Sequence, residues 1–263
     1  MSGSEDIGVE VWRGGVNTWE CDEMGHMNVR FYVVRALEGL VGLASALGMP
    51  RAFSPTAGAT LLIREQHIRF LREALAGAAL HMRAWVAEMG ECDARLVQVL
   101  YHASGEPAAS FQTVVSHVTP MEGRAFPWTD ETRRLAETLV APIPDFAAAR
   151  SVDLSPVDCQ ASVERADALG LAHISSGAVL EYRLIHLDWP RAGDRIEIRS
   201  GLARVDSRTQ RLVHWMVDPD LGRVWGAAEA VTVTLDLDKR KIVPVAEAAQ
   251  AELNARAIKG LTL

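Results

Sequence analysis

Three cysteines in 263 residues, Cys21, Cys92 and Cys159, lie far apart and form no CxxC pair. That spacing supports neither a disulfide framework nor a zinc knuckle. Lysine is almost missing: Lys239, Lys241 and Lys259 are the only three, and arginine carries the rest of the positive charge. With a net charge of −7 the chain lacks the basic footprint that nucleic acid requires, so no nucleic-acid partner is expected. No apolar run reaches the ~18–20 residues of a membrane helix, which gives no membrane partner either. The opening Met1-Ser2-Gly3-Ser4-Glu5-Asp6 has neither the basic segment nor the apolar stretch of a secretory signal. A cytoplasmic location is therefore the expectation. Glycine-rich phosphate cradles of the P-loop or Rossmann type are absent as well.

What is present is an ordinary globular composition, 49% apolar, written twice. Ala46-Leu47-Gly48 recurs as Ala168-Leu169-Gly170, and the strand-like segment around His67 recurs around His186. Arg95-Leu96-Val97 returns as Arg211-Leu212-Val213, and Ala108-Ala109 with Thr113-Val114 returns as Ala227-Ala228 with Thr232-Val233. The matches are collinear, with an offset between 116 and 122. Such a period predicts two copies of one domain. The expected division is an N-terminal domain over 8–138, a C-terminal domain over 145–245 and a tail over 246–263. The proline-punctuated Ala141-Pro142-Ile143-Pro144 joins the two domains.

Each copy reads as a helix followed by strands. In the first, Val33, Leu37, Leu40, Val41, Ala44 and Leu47 recur at helical spacing, and Gly48 and Pro50 stop the helix. Strands are predicted over 59–71, 78–89, 95–102 and 108–119, punctuated by Gly77, Gly90 and Gly105. In the second copy, Ser155-Pro156-Val157-Asp158 has the form of an N-cap, a proline at the first helical position and a capping-box acid. That helix is expected to run to Leu169, with strands near 177–189, 194–204, 210–218 and 223–236. One helix plus hairpin-connected strands is an α+β pattern, an antiparallel sheet wrapped on a helix.

The segment Trp19-Glu20-Cys21-Asp22-Glu23-Met24-Gly25-His26-Met27-Asn28 carries the chemistry. An acid, a glycine, a histidine and an asparagine precede the long helix directly, which sets a carboxylate beside free N–H groups at a helix N-terminus. A base next to an anion-binding pocket suits acyl hydrolysis. Read without any relative, an acid at Asp22 is more often a helix cap or a dipole partner. Glu65 and His67 are two apart and share one strand face, while Ile68 and Phe70 turn to the other. Cys21, Asp22 and His26 are too few, and without a second cluster, for a metal site. Cys21 as a nucleophile is disfavoured by its acidic neighbours.

These residues resemble the hotdog-fold acyl-CoA thioesterases of the 4-hydroxybenzoyl-CoA type. The likeness rests on Cys21-Asp22-x-x-Gly25-His26-x-Asn28 ahead of the helix and on Glu65-x-His67-Ile68-x-Phe70-Leu71. It covers residues 10–120 by motif and the remainder through the repeat. It implies a double hotdog, two tandem copies of a long helix wrapped by an antiparallel sheet. It also implies hydrolysis of acyl-CoA to a carboxylic acid and free coenzyme A, with no cofactor or metal. In that reading Asp22 is base or nucleophile, Asn28 and Glu65 support it, and Gly25, His26, Val29, Arg30 and His67 meet the substrate. The amides around Asn28 to Arg30 form the oxyanion site. Arg64, Arg69, Arg72, Arg204, Arg208 and Arg211 are candidates for the nucleotide end of coenzyme A. Trp19, Phe31, Trp85 and Trp189 are candidates for the acyl pocket and equally for the core.

The second copy has no Gly-His-x-Asn, so one working site per chain is expected, with the second copy supplying a wall. A homodimer of double hotdogs is the expected assembly. Two alternatives remain: a non-catalytic acyl-CoA or acyl-carrier binding module, and a hydratase or dehydratase of enoyl or 3-hydroxyacyl thioesters. The Asp-x-Asn-Pro-x-His pattern of the latter is not found.

Overall fold

The structure, a computed structural model, describes residues 7–167, 178–236, 239 and 241–263. Met1 to Asp6, the repeat match Ala168-Leu169-Gly170, the helix end at Leu169 and the strand start at 177 lie outside the described residues. The chain divides into two units, Met1–Ala148 and Ala149–Leu263. Among the described residues no helix is long and apolar enough to cross a membrane.

Unit 1 holds strands β1 (Val9–Gly15), β2 (Thr60–Phe70), β3 (Ala79–Met89), β4 (Asp93–His102) and β5 (Pro107–Val118). They run in the order β1-β3-β4-β5-β2, antiparallel throughout. Helix α1 (Val29–Ala46) lies on one face of this sheet. Ala84, Gln98, Phe111 and Ile68 are successive partners across four strands, and Gln98 Nε2 donates to the Ala36 carbonyl of α1 at 2.7 Å. That row marks the inner face. Leu40, Leu43, Ala44 and Leu47 of the helix pack there with Leu61, Ile63, Val86, Leu96 and Val115. Burial on this scale, ~1.5–3 kcal/mol per large side chain, drives the helix onto the sheet.

Two helix positions are glycine where the sheet comes close, by its backbone at Gly42 and by its side chains at Gly39. A Cβ at Gly42 would stand 2.4 Å from the Val11 carbonyl oxygen, and one at Gly39 would stand 2.4 Å from Met82 Sδ.

The next row, Trp85, Val97, Gln112 and His67, faces the other way. Trp85, Val97, Val99 and Tyr101 form a second cluster, covered by Ala141, Ile143 and Phe146. The covering chain is tied down by polar bonds: Trp85 Nε1 donates to Pro142 O at 3.2 Å and Gln112 Nε2 to Ala147 O at 2.8 Å. The proline-rich stretch expected to be a linker is thus a strap on unit 1. Helix α2 (Asp130–Glu137), not expected from the sequence, precedes it; the Thr129 side chain accepts from Thr132 N as its N-cap.

Unit 2 repeats the four-strand order. Its strands β6 (Ala178–His186), β7 (Glu197–Val205), β8 (Gln210–Val217) and β9 (Val224–Val233) run β6-β9-β8-β7. This is the order β2-β5-β4-β3 of unit 1, with no counterpart of β1 among the described residues. Even the bulges recur: the register shifts between Ile63 and Glu65 and again between Val179 and Glu181, and between Val86 and Glu88 and again between Leu202 and Arg204.

Helix α3 (Cys159–Asp167) begins later than expected. Asp158 Oδ1 accepts from Gln160 N at 3.1 Å and Ala161 N at 3.0 Å, so Asp158 is the cap. Ser155 instead turns to Asp153, giving both its N–H and its hydroxyl proton to Asp153 Oδ1. The stretch 246–263, expected as a tail, has structure of its own. It contains helix α4 (Glu247–Arg256), and Ile258, Leu261 and Leu263 are buried with Cys159, Val163 and Trp215. Apolar residues at that spacing close the core of unit 2.

Candidate active site

The loop between the short helical turn Thr18–Glu20 and α1 is built by its own hydrogen bonds. Asp22 N donates to His26 O at 2.8 Å and Gly25 N to Asp22 O at 3.0 Å. Asp22 Oδ1 then accepts from Met24 N at 2.9 Å and from His26 N at 3.0 Å. Gly25 supplies the reversal at φ +79°, a left-handed conformation that glycine adopts without strain. A Cβ there would meet nothing within 4 Å. The glycine is therefore needed for the turn and not for close approach within the chain.

Both loop ends are anchored. Met27 N donates to Ala74 O at 2.8 Å, Ala76 N to Gly25 O at 3.0 Å, and Asn28 N to Glu20 O at 2.9 Å. Tyr32, from the first turn of α1, accepts from Ala74 N at 3.2 Å. Its burial pushes the phenol up to about 12, so it stays a neutral hydroxyl.

This network leaves one Asp22 carboxylate oxygen free and, of the amides of Asn28, Val29 and Arg30, one. Asp22 is exposed, and its Oδ2 takes no hydrogen bond from the described residues. Asn28 caps α1, its Oδ1 accepting from Arg30 N at 3.1 Å, while Phe31 N donates to Asn28 O at 2.9 Å. Of the three amides expected to form the oxyanion site, those of Asn28 and Arg30 are thus already engaged. Val29 N–H, at the positive end of an 18-residue helix, has no acceptor among the described residues. His26 Nε2 stands 3.3 Å from Glu73 Oε2 but off the hydrogen-bonding direction. Burial and the charges of Asp22 and Glu20 push the Cys21 thiol up, which argues against a thiolate nucleophile. Among the described residues no group of three His, Cys, Asp or Glu is placed to hold a metal.

Asp22, Gly25, His26, Asn28, Val29 and Arg30 are therefore together. Glu65 and His67 are not with them. Pleat parity sets these two on the face of β2 opposite Ile68, whereas α1 packs on the Ile68 side. His67 is buried, with Nδ1 3.4 Å from Gln112 Nε2 beneath the strap. Both residues are parts of the outer face of unit 1, and neither supports Asp22 within that unit.

The candidate arginines are mostly engaged as well. Arg64 reaches Ser116 Oγ at 3.1 Å, Arg69 the carbonyls of Phe146 and Ala148, and Arg72 the Glu106 carboxylate at 2.9 Å. Arg204 pairs with Asp206 at 2.8 Å and Arg211 with Glu229 at 3.0 Å, while Arg208 is exposed. Of the aromatic candidates, Trp85 is core and Trp19 is exposed. Phe31 lies 4.5 Å from the Arg30 guanidinium, and Trp189 stacks on His186.

Unit 2 builds something different ahead of its helix. Glu181 accepts from Arg150 N and Ser151 N at 3.0 and 2.9 Å, and Arg183 donates to Ser155 O at 2.8 Å. Buried charges thus pin the 150–158 coil, and Asp158 is consumed as a cap. Burial pushes the Glu229 carboxyl up, against the pull of Arg211 and Arg183.

The profile of the Thioesterase-like superfamily matches residues 16–150 and 162–253. No curated protein sequence matches the chain. Among solved structures, a Lactobacillus plantarum protein assigned as an oleoyl thioesterase superimposes with a TM-score of 0.66 at 13% identity, covering 88% of this chain and 98% of its own. The 12:0-ACP thioesterase of Umbellularia californica gives 0.62 at 11% identity, covering 84% and 92%. An acyl-ACP thioesterase of Bacteroides thetaiotaomicron gives 0.60 at 9% identity, covering 84% and 96%. At such identities the likeness concerns fold alone. That fold is the hotdog, helix and antiparallel sheet, as the sequence predicted.

Proposed function

The chain belongs to the thioesterase-like superfamily, and from that premise we propose that it is an acyl-CoA thioesterase releasing a carboxylic acid and free coenzyme A. The observation that carries this reading is the free Asp22 Oδ2 on a loop whose other carboxylate oxygen is held by two amides. A carboxylate fixed at one oxygen keeps its direction while the other reacts.

As a general base, Asp22 takes a proton from water, whose oxygen attacks the thioester carbonyl; the C–S bond breaks and the thiolate takes a proton on release. As a nucleophile, Asp22 attacks that carbon itself, expels the thiolate and forms a mixed anhydride, which water then hydrolyses. Both routes place negative charge on the carbonyl oxygen. Val29 N–H, with the helix dipole behind it, is the donor left to receive that charge. Asn28 caps the helix that presents this amide. No cofactor takes part in either route. The two units are tandem hotdogs in this reading, and unit 1 carries the working loop.

A second reading, an acyl-carrier-protein thioester as substrate, is favoured by the names of two of the structural neighbours. Thiol release from acyl-CoAs and acyl-carrier proteins of graded chain length tests both. Faster turnover of the carrier-protein series would select the second. Tight binding with no thiol release at any length would make the chain a binding module.

A further inference from the structure

Behind the Asp22 loop lies a pair of buried charges that neither route uses. Glu20 is 4% exposed and Arg35, on the second turn of α1, is 8% exposed. Arg35 Nη2 donates to Glu20 Oε1, and Arg35 Nη1 reaches both Glu38 oxygens at 3.0 and 3.2 Å. The other Glu20 oxygen accepts from Asn17 N at 2.8 Å. Trp12 of β1 lies under the guanidinium, 5.0 Å from its centre. Meanwhile the Glu20 backbone carbonyl takes the Asn28 amide at 2.9 Å. Glu20 therefore holds the first residue of the loop to the helix by its side chain and the last residue by its backbone.

We infer that Glu20 and Arg35 are positioning residues, a buried clamp that fixes the Asp22 loop and the Val29 amide relative to each other. The inference deepens the hydrolytic reading and rests on it. Stability alone is a poor reason for such a pair, since burying two charges costs about as much as their attraction returns, and apolar replacements are often neutral. The clamp instead spans the one joint where the carboxylate and the helix N-terminus must keep register. A misplacement of ~1 Å at such a joint costs ~100-fold in rate. Burial alone would raise the Glu20 carboxyl, but the Asn17 amide and the Arg35 guanidinium outweigh it and hold it below its ordinary value, so the clamp is charged at neutral pH.

Three variants of the full chain separate positioning from folding: Glu20→Gln, Arg35→Lys and the double variant Glu20→Gln/Arg35→Met. Each is measured for Tm, for kcat and KM on the best thioester substrate, and for amide exchange of the 22–28 segment. Glu20→Gln is expected to lower kcat ~100-fold with KM within about threefold, and to speed exchange of that segment ~10-fold or more. Arg35→Lys keeps the charge without the fork, so it is expected to fold and lose kcat in the same way. The double variant is expected to regain the wild-type Tm but neither kcat nor slow exchange. Wild-type kcat in the double variant, or unchanged exchange in Glu20→Gln, would overturn the clamp. If the wild-type chain releases no thiol at all, the hydrolytic reading fails, and exchange still decides the clamp.

Discussion

Replacing Gly25 separates two demands that a loop glycine can meet. At φ +79° the residue is left-handed, and no atom lies within 4 Å of an added Cβ. Alanine therefore meets no wall and bears only the backbone cost, about 1–2 kcal/mol for an L-residue in that region. Part of this is offset by the lower entropy of the unfolded chain, ~0.4–1 kcal/mol at best, which leaves a net loss near ~1 kcal/mol. For a chain of this size that is about 2–4 °C in Tm. Asparagine tolerates the left-handed region, so Gly25→Asn should cost clearly less than Gly25→Ala. Thermal unfolding of both variants, with thiol release alongside, reads the two demands separately. A loss above ~3 kcal/mol for alanine, or equal losses for both, would refute the backbone argument. If Gly25→Asn is stable yet inactive, the open space over Gly25 is where substrate passes.

The α1 glycines give an internal comparison. Gly42→Ala drives a Cβ against the Val11 backbone, and Gly39→Ala against the ends of the Met82 and Gln98 side chains, which can turn aside, so Gly42→Ala should be the more destabilising by ~1–2 kcal/mol in chemical denaturation. Equal or stabilising effects would show that the helix is not held as closely to β1 as described.

In unit 2, burial holds His186 and His214 below their ordinary range, with Ser200 Oγ 2.7 Å from His214 Nδ1. Their unfolded forms bind protons first as pH falls below about 6.5, so stability is complete above that pH and declines beneath it. Denaturation midpoints at pH 7.5 and 5.5 should differ less in the double variant His186→Gln/His214→Gln; an unchanged difference would contradict this.

Much of the fold was legible because periodicity and repetition are local or collinear signals. The α1 pattern, the strands and the twofold writing of the chain all follow from residue spacing. Elements whose signal is short or polar were missed. β1 ends in Gly14-Gly15, which reads as a turn, and α2 buries little beyond Thr132 and Ala136. Both Ser155 and Asp158 satisfy the capping grammar, and the fold turns Ser155 toward Asp153, which accepts its hydroxyl, while Asp158 takes the first helical amides. The site was half legible in the same sense. The loop residues are contiguous, but which amide stays free depends on Glu20 taking the Asn28 N–H, and the Glu20–Arg35 pair spans 15 residues. Glu65 was drawn to the site by motif, although strand parity turns it to the other face of the sheet.

The most direct test of the central claim is the single-turnover rate of thiol release by Asp22→Asn. This isosteric change keeps an oxygen to accept the Met24 and His26 amides but removes the basic, nucleophilic carboxylate. The expected result is a fall of ~100–10,000-fold with substrate binding retained. Turnover within a few-fold of wild type would contradict the account and move the chemistry away from this loop.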